Sequence, residues 1–290
     1  MKGLIVMNGY PSGEKFYRQS ARIKAELEQL GVQTTVLLNG ELKAKLSDRA
    51  EPLADILGYD FCVYLDKDKY LSRILEGAGM RLFNSAGAIE TCDDKMTTYL
   101  ALQNAGVKIP ETIAAPLCYT PNSQPKTSFL DEVESLGYPL VAKKSYGSFG
   151  TGVKLAKNRV ELEEIEREWM YVPHFYQKFV GTKGKDIRVI VIGKRSVAGM
   201  RRIACEGEFR SNIELGGHGE KIELSKEYIA AAEQVAKHLN LDYCGVDLLE
   251  GETPIVCEVN SNAFFEGLES VTGVNVAKKY AEYIVSEMKK

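Results

Sequence analysis

Apolar positions in the first ninety residues alternate between two rhythms. Residues 4–7 form a short uninterrupted apolar run. From residue 14 to residue 30, Ile23, Leu27 and Leu30 recur at helical spacing until Gly31 stops the pattern. Residues 32–38 are a second run, rich in β-branched side chains; a polar, helix-like stretch follows, and residues 61–65 are a third run. Strand and helix signals taking turns predict a small parallel sheet with helices on its faces. Residues 91–105 carry Met96, Tyr99, Leu100 and Leu102 at helical spacing and predict one helix, closed by Gly106 and Pro110. Residues 116–128, rich in Pro, Ser and Thr, read as a loop. From about residue 139 the pattern turns to paired strands separated by Gly-rich turns, with a late helix over 230–239. The fold class expected is therefore α/β followed by α+β, without internal repeats.

Composition narrows the function. The 290 residues suffice for one to three domains, and 44% hydrophobic with 27% charged residues is an ordinary globular balance. Lys and Arg number 37 against 40 Asp and Glu, a formal charge of -3, so neither nucleic acid nor an anionic membrane is an expected partner. The apolar run near the N-terminus is too short for a secretion signal, and no run approaches the roughly 18 residues of a membrane span. The six cysteines are scattered without a C-x-x-C pair, and His174, His218 and His238 share no metal-ligand spacing. Reduced buried thiols, no zinc and a cytoplasmic location are the expectations. Residues 8–13 lack the G-x-G-x-x-G spacing of a dinucleotide fingerprint, so a plain strand-to-helix turn is expected and an NAD-dependent oxidoreductase is disfavoured.

Three segments carry chemistry. In residues 138–153 two strands flank a loop containing Gly147, Gly150 and Gly152, with Lys143 near the end of the incoming strand. Glycines let backbone N–H groups approach an anion, and a lysine beside them suits a phosphate. The loop is no Walker A motif, because no G-K-[ST] ends it; a ligand-free hairpin is the bland alternative. In residues 241–260 a hairpin folded symmetrically about the midpoint of Glu252 and Thr253 sets Asp247 opposite Glu258, and Asn260 shares the face of Glu258. Two carboxylates and an amide oxygen, without His or Cys, suit magnesium. In residues 184–202 a hairpin turns near Gly193 and sets Asp186 opposite either Arg201 or Arg202, depending on one turn residue. Arg210 follows, and several guanidinium groups suit carboxylate and phosphate, although this segment alone favours a solvated basic strand.

The order of these motifs resembles the ATP-grasp superfamily, and most closely its RimK-like alpha-L-glutamate ligases. The resemblance runs through Asp94-Lys95, the lysine and glycine loop, Gln177-Lys178-Phe179-Val180, Lys185-Asp186-Ile187-Arg188, residues 206–217, residues 245–260 and Glu266-Gly267. It covers the chain from about residue 83 onward. It implies a pre-ATP-grasp domain over 1–92, a central subdomain with the glycine loop over 93–178, and a C-terminal subdomain with the magnesium site over 179–290. It implies that Lys95 and Lys143 contact ATP phosphates, that Lys178 and Phe179 hold adenine at the hinge, and that Asp186, Arg210, Ser211 and Asn212 contact the nucleotide. Arg202 and Arg210 are implied as the catalytic cations. Asp247, Glu258 and Asn260 are implied as ligands of two magnesium ions, with manganese as the alternative metal. Two departures stand out: Lys178 replaces the family's usual Glu, and Ser261-Asn262-Ala263-Phe264-Phe265 replaces its common Ala-Ser-Pro-Gly.

The implied activity is ATP-dependent carboxylate–amine ligation through an acyl phosphate. Its implied substrates are glutamate or another amino acid and a carboxylate of a protein, peptide or metabolite. A ligase of the D-alanine–D-alanine or other metabolite type and a non-catalytic nucleotide-binding regulator are the rival readings. The sequence leaves homo-oligomerisation open.

Overall fold

The structure, a computed structural model, describes all residues except 11–12, 43–44, 46–55, 57 and 212–215. The chain begins with β1 (Lys2–Met7), α1 (Glu14–Gln29), β2 (Gln33–Leu38), β3 (Phe61–Leu65), α2 (Lys69–Gly77) and β4 (Leu82–Phe83). All four strands run parallel in the order β2-β1-β3-β4. Leu4, Ile5 and Val6 of β1 are fully buried, as a parallel sheet covered on both faces requires.

The single helix expected over residues 91–105 is instead two, α3 (Ala86–Asp93) and α4 (Lys95–Leu102). Asp94 causes the break: its backbone is extended, and its carboxylate accepts from the N–H groups of Met96 and Thr97 as the N-cap of α4. The helical spacing of Met96, Tyr99, Leu100 and Leu102 belongs to α4 alone, which begins after a residue that prefers to cap.

Next come β5 (Thr112–Ala114), α5 (Thr127–Glu134), β6 (Leu140–Lys144), β7 (Val153–Ala156), α6 (Arg159–Trp169) and β8 (His174–Lys178). These strands form an antiparallel sheet, β5-β8-β6-β7, whose own core contains Leu130, Val133, Leu162 and Trp169. The remainder is β9 (Lys185–Ile192), β10 (Arg195–Ile203), β11 (His218–Lys221), α7 (Lys226–His238), β12 (Tyr243–Leu249), β13 (Ile255–Asn260), α8 (Glu266–Thr272) and α9 (Val276–Glu287). Its strands form a five-stranded antiparallel sheet in the order β11-β10-β9-β12-β13.

The first and third sheets share a core. Ile5, Met7, Phe61 and Phe83 cluster with Ile190, Ile192, Tyr243 and Tyr280. Polar ties fix the same junction: Arg81 donates twice to Asp242, at 2.8 and 3.0 Å, and buried Asn84 donates to the carbonyls of Tyr243 and Ser261 at 2.8 Å each. Val189, Val191, Val246 and Leu248, on the other face of the five-stranded sheet, pack against α7 and against Ala88, Cys92 and Leu102. Among the described residues no helix is long and apolar enough to cross a membrane.

Candidate active site

The central strand of the five-stranded sheet organises the site. On β9, Asp186 and Arg188 are two residues apart and share a face. Arg188 is paired with Asp247 of β12, and Asp247 is in turn paired with Glu258 of β13, as the symmetric hairpin predicts. The pairing has a local irregularity that the sequence did not announce. Leu249 faces Ile255 and Leu248 faces Val256, but the register then shifts by one residue at Cys257. That bulge lets the neighbouring side chains of Cys257 and Glu258 both reach one cleft.

A second bulge, between Ser196 and Ala198 on β10, resolves the other open register and places Arg202 opposite Asp186. Arg202 is only 3% exposed, so this is not the solvated basic strand that the segment alone suggested. The strand's alternation turns Arg202 inward and leaves its neighbour Arg201 to pair with Glu250 and Glu220.

The carboxylates are neutralised by the protein's own cations. Arg188 donates through Nε and Nη2 to the two oxygens of Asp247, each at 2.7 Å. Arg202 donates to Asp186 at 2.7 and 2.5 Å, and its Nη2 lies 2.8 Å from Asp247 Oδ2. Ser211 Oγ donates to Asp186 at 2.5 Å. Burial pushes the Asp247 carboxyl up, but the guanidinium groups of Arg188 and Arg202 pull it further down, below its ordinary value.

Facing these acids are the two lysines. The helix break at Asp94 positions Lys95, whose backbone N–H leaves the helical pattern and donates to Ser145 O at 2.9 Å. Lys95 Nζ donates to Gly147 O at 2.6 Å and lies 3.4 Å from Glu258. Lys143 is buried on β6, with Nζ 3.7 Å from Cys257 Sγ. Burial opposes its ammonium, but Cys257, Tyr99 and Glu258 more than offset that and hold its pKa above that of an ordinary lysine.

The glycine loop joins β6 to β7 over the cleft. Gly152 has a φ of +80°, and a Cβ there would fall 3.2 Å from Lys144 side-chain carbons, so the tight return to β7 needs glycine. Arg210 grips the loop from the opposite side: Nη1 donates to Gly150 O at 2.8 Å, while Nε and Nη2 donate to Glu208. The Arg210 contact draws the Glu208 carboxyl down to about 2.

These groups border a cleft between the two antiparallel sheets. Of the residues singled out in the sequence, Lys95, Lys143, Lys178, Phe179, Asp186, Arg202, Arg210, Ser211, Asp247 and Glu258 all line it. The Lys178 side chain is exposed, and its backbone N–H donates to Glu111 O at 3.0 Å. Asn212 lies outside the described residues. Asn260 lines a second chamber instead, and Glu258 borders both. Aromatic rings wall part of this chamber: Phe149, at the glycine-loop tip, stacks on Phe264 at 6.2 Å, and Phe16 meets Phe264 edge-on at 5.0 Å.

Sequence reading missed Arg188 and Cys257. Arg188 was detectable, two residues beyond Asp186 on one strand face, whereas Cys257 depends on a bulge without a local signature.

Among the described residues no three His, Cys, Asp or Glu side chains are grouped to hold a metal ion, and the amide of Asn260, two residues beyond Glu258 on β13, offers an additional oxygen. That amide is buried and its Nδ2 has no hydrogen-bond partner. Asp247 Oδ2 is taken by both arginines, while Oδ1 accepts from Arg188 and retains a lone pair. Asp247 and Glu258 are cross-strand partners, Asn260 is two residues further along β13, and all three offer the hard oxygen donors that magnesium takes.

Residues 92–284 match the RimK-like ATP-grasp domain. The chain belongs to that family. It is 35% identical over 228 residues to N-acetylaspartylglutamate synthase A of Homo sapiens, an alignment covering 77% of this chain and 57% of the human one. It is also 35% identical over 226 residues to a probable alpha-L-glutamate ligase of Vibrio atlanticus (strain LGP32), covering 75% and 71%. The chain thus spans less than two thirds of the human relative's length. Among solved structures, the D-alanine–D-alanine ligase of Bacillus anthracis complexed with ATP superposes with a TM-score of 0.75 at 20% identity, covering 100% of this chain and 97% of that one. This likeness shows the ATP-grasp fold and extends it to the N-terminal sheet, which lies outside the residues matched to the RimK-like domain.

Proposed function

We propose that this RimK-like protein is an ATP-dependent carboxylate–amine ligase, adding glutamate or another amino acid to a carboxylate of a protein, peptide or metabolite. The observation that carries the reading is the position of Glu258, which borders both the lysine-lined cleft and the second chamber. A triphosphate in the first and a carboxylate in the second would meet at that residue.

A carboxylate is a poor electrophile, so an amine does not displace its oxygen directly. Transfer of the γ-phosphoryl group to a carboxylate oxygen gives an acyl phosphate and ADP. The amine nitrogen then forms a bond to the carbonyl carbon, phosphate departs with the electrons of the broken C–O bond, and the nitrogen loses a proton. Lys95 and Lys143 offer ammonium groups to the phosphates, and Arg202 and Arg210 add guanidinium charge beside them. Glu258, Asn260 and Asp247 Oδ1 would hold magnesium, or manganese, whose charge would offset that of the phosphates. The glycine loop covers the cleft and limits water, which otherwise hydrolyses an acyl phosphate. Cys62, Cys92 and Cys244 are buried thiols, which suits a reducing compartment and supports a cytoplasmic location.

ADP release measured over a panel of carboxylate and amine pairs, with products weighed by mass spectrometry, tests the reading. The expected result is release that requires both partners and a product heavier by one amino-acid residue. Glu258→Gln is expected to abolish turnover while a fluorescent ATP analogue still binds. A panel that never stimulates ADP release, or a Glu258→Gln enzyme with unchanged turnover, refutes it.

A further inference from the structure

Asn8, Asn39 and Asp66 stand immediately after the carboxyl ends of the neighbouring parallel strands β1, β2 and β3. That rim of an open α/β sheet is where such sheets receive ligands. Here Asp66 and Asn8 form part of the second chamber's wall. Asp66 is 8% exposed. Its Oδ1 accepts from Asn8 Nδ2 at 3.1 Å and from its neighbour's backbone N–H at 2.7 Å, and its Oδ2 accepts from Asn39 Nδ2 at 2.7 Å. Neither amide is free to turn over. Asn8 Oδ1 accepts from Tyr10 N at 2.8 Å, and Asn39 Oδ1 accepts from Gly9 N at 2.9 Å.

The three donors to Asp66 are thus oriented and neutral. Among the described residues no cation forms an ion pair with it; the adjacent Lys67 ammonium goes instead to Asp93 at 2.8 Å and to Ser148 at 3.2 Å. A carboxylate so buried, with hydrogen bonds but no counter-charge, leaves net negative potential in a chamber wall. By contrast, Asp247 in the first cleft is matched by two guanidinium groups.

We propose that Asp66 anchors a non-reacting ammonium group of the carboxylate substrate in the second chamber. The substrate class is then a small amino acid with its amino group free, and N-acylated counterparts are rejected. The assignment rests on the ligase reading above. An ammonium held by a carboxylate has no lone pair to attack with, so this group is a handle, and the reacting carboxylate of the same molecule points towards Glu258.

Binding of the free amino acids and of their N-acetyl derivatives is measured calorimetrically on the whole protein with magnesium and a non-hydrolysable ATP analogue. At least one free amino acid is expected to bind about tenfold or more tightly than its N-acetyl form, the equivalent of about 1.4 kcal/mol. Asp66→Asn is expected to erase that preference and leave analogue affinity unchanged. Asp66→Ser, which keeps an oxygen for the two asparagine donors, is measured beside it in case the first variant does not fold. A wild type without preference in any pair overturns the proposal, as does a folded variant that keeps the preference, which would place the recognition elsewhere. Failure of the ligase reading appears separately, as absent ADP release.

Discussion

Replacing Asp247 by Asn separates the carboxylate that the fold needs from the one that the reaction needs. Asp247 is 2% exposed and has charge-assisted contacts of 2.7, 2.7 and 2.8 Å to two arginines. Removing one member of such a buried group costs about 3–5 kcal/mol, because the remaining charge stays buried without a partner. Arg202 keeps its two bonds to Asp186, so Arg188 bears most of the loss and the lower part of that range applies. At roughly 2–4 °C per kcal/mol for a chain of this size, the midpoint should fall by about 6–15 °C. Glu258 supplies the contrast. Its side chain is 28% exposed and its ion pair with Lys95 spans 3.4 Å, a geometry contributing about 1 kcal/mol or less. Thermal melts of Asp247→Asn and Glu258→Gln, run beside ADP-release assays, should show both enzymes inactive but only the first destabilised. An Asp247→Asn protein melting with the wild type, or a Glu258→Gln protein falling as far, refutes the division.

Asp94→Ala should cost about 1 kcal/mol by uncapping α4 and should also weaken nucleotide binding, because the cap sets where Lys95 begins its helix; a melt and an ATP-analogue titration check both. An unchanged titration would detach Lys95 from the phosphates. The Glu208 carboxyl is held at about 2, below its ordinary value of about 4.3, so its contribution is present above that ordinary value and is lost as pH falls towards 2. Glu208→Gln should therefore be less stable than the wild type at neutral pH, with the gap closing in acid; a gap constant from pH 7 to pH 2 contradicts the assignment.

Much of the site was legible because it is built on strands, where alternation and hairpin symmetry carry geometric meaning. Asp247 opposite Glu258 followed from counting outward from a turn. The choice between Arg201 and Arg202 did not, because one bulge residue on β10 decides it and Val197 has no feature that marks it for that role. The same difficulty hid Cys257. The helical spacing of Met96, Tyr99, Leu100 and Leu102 is that of α4, and Asp94 caps it and ends the expected helix short of residues 91–93. Composition described the surface as nearly neutral while the interior gathered its charges: Asp186, Arg202 and Asp247 are each under 5% exposed. Asp66 escaped notice for another reason, since its partners Asn8 and Asn39 come from separate strand ends that converge only in the folded sheet.

The division of the apolar cores has a mechanical consequence. Because the parallel sheet and the five-stranded sheet are fused through Phe61, Phe83, Ile190 and Tyr280, they cannot part without exposing oil to water. The middle sheet keeps Leu130, Val133, Leu162 and Trp169 to itself. Polar ties span the seam beside the edge contact of Tyr99 on Phe175: Lys95 to Ser145 and Gly147, and Arg210 to Gly150. Solvent replaces hydrogen bonds of that kind at small net expense. Residues 112–178 should therefore come away from the rest more readily than the two fused sheets come away from each other.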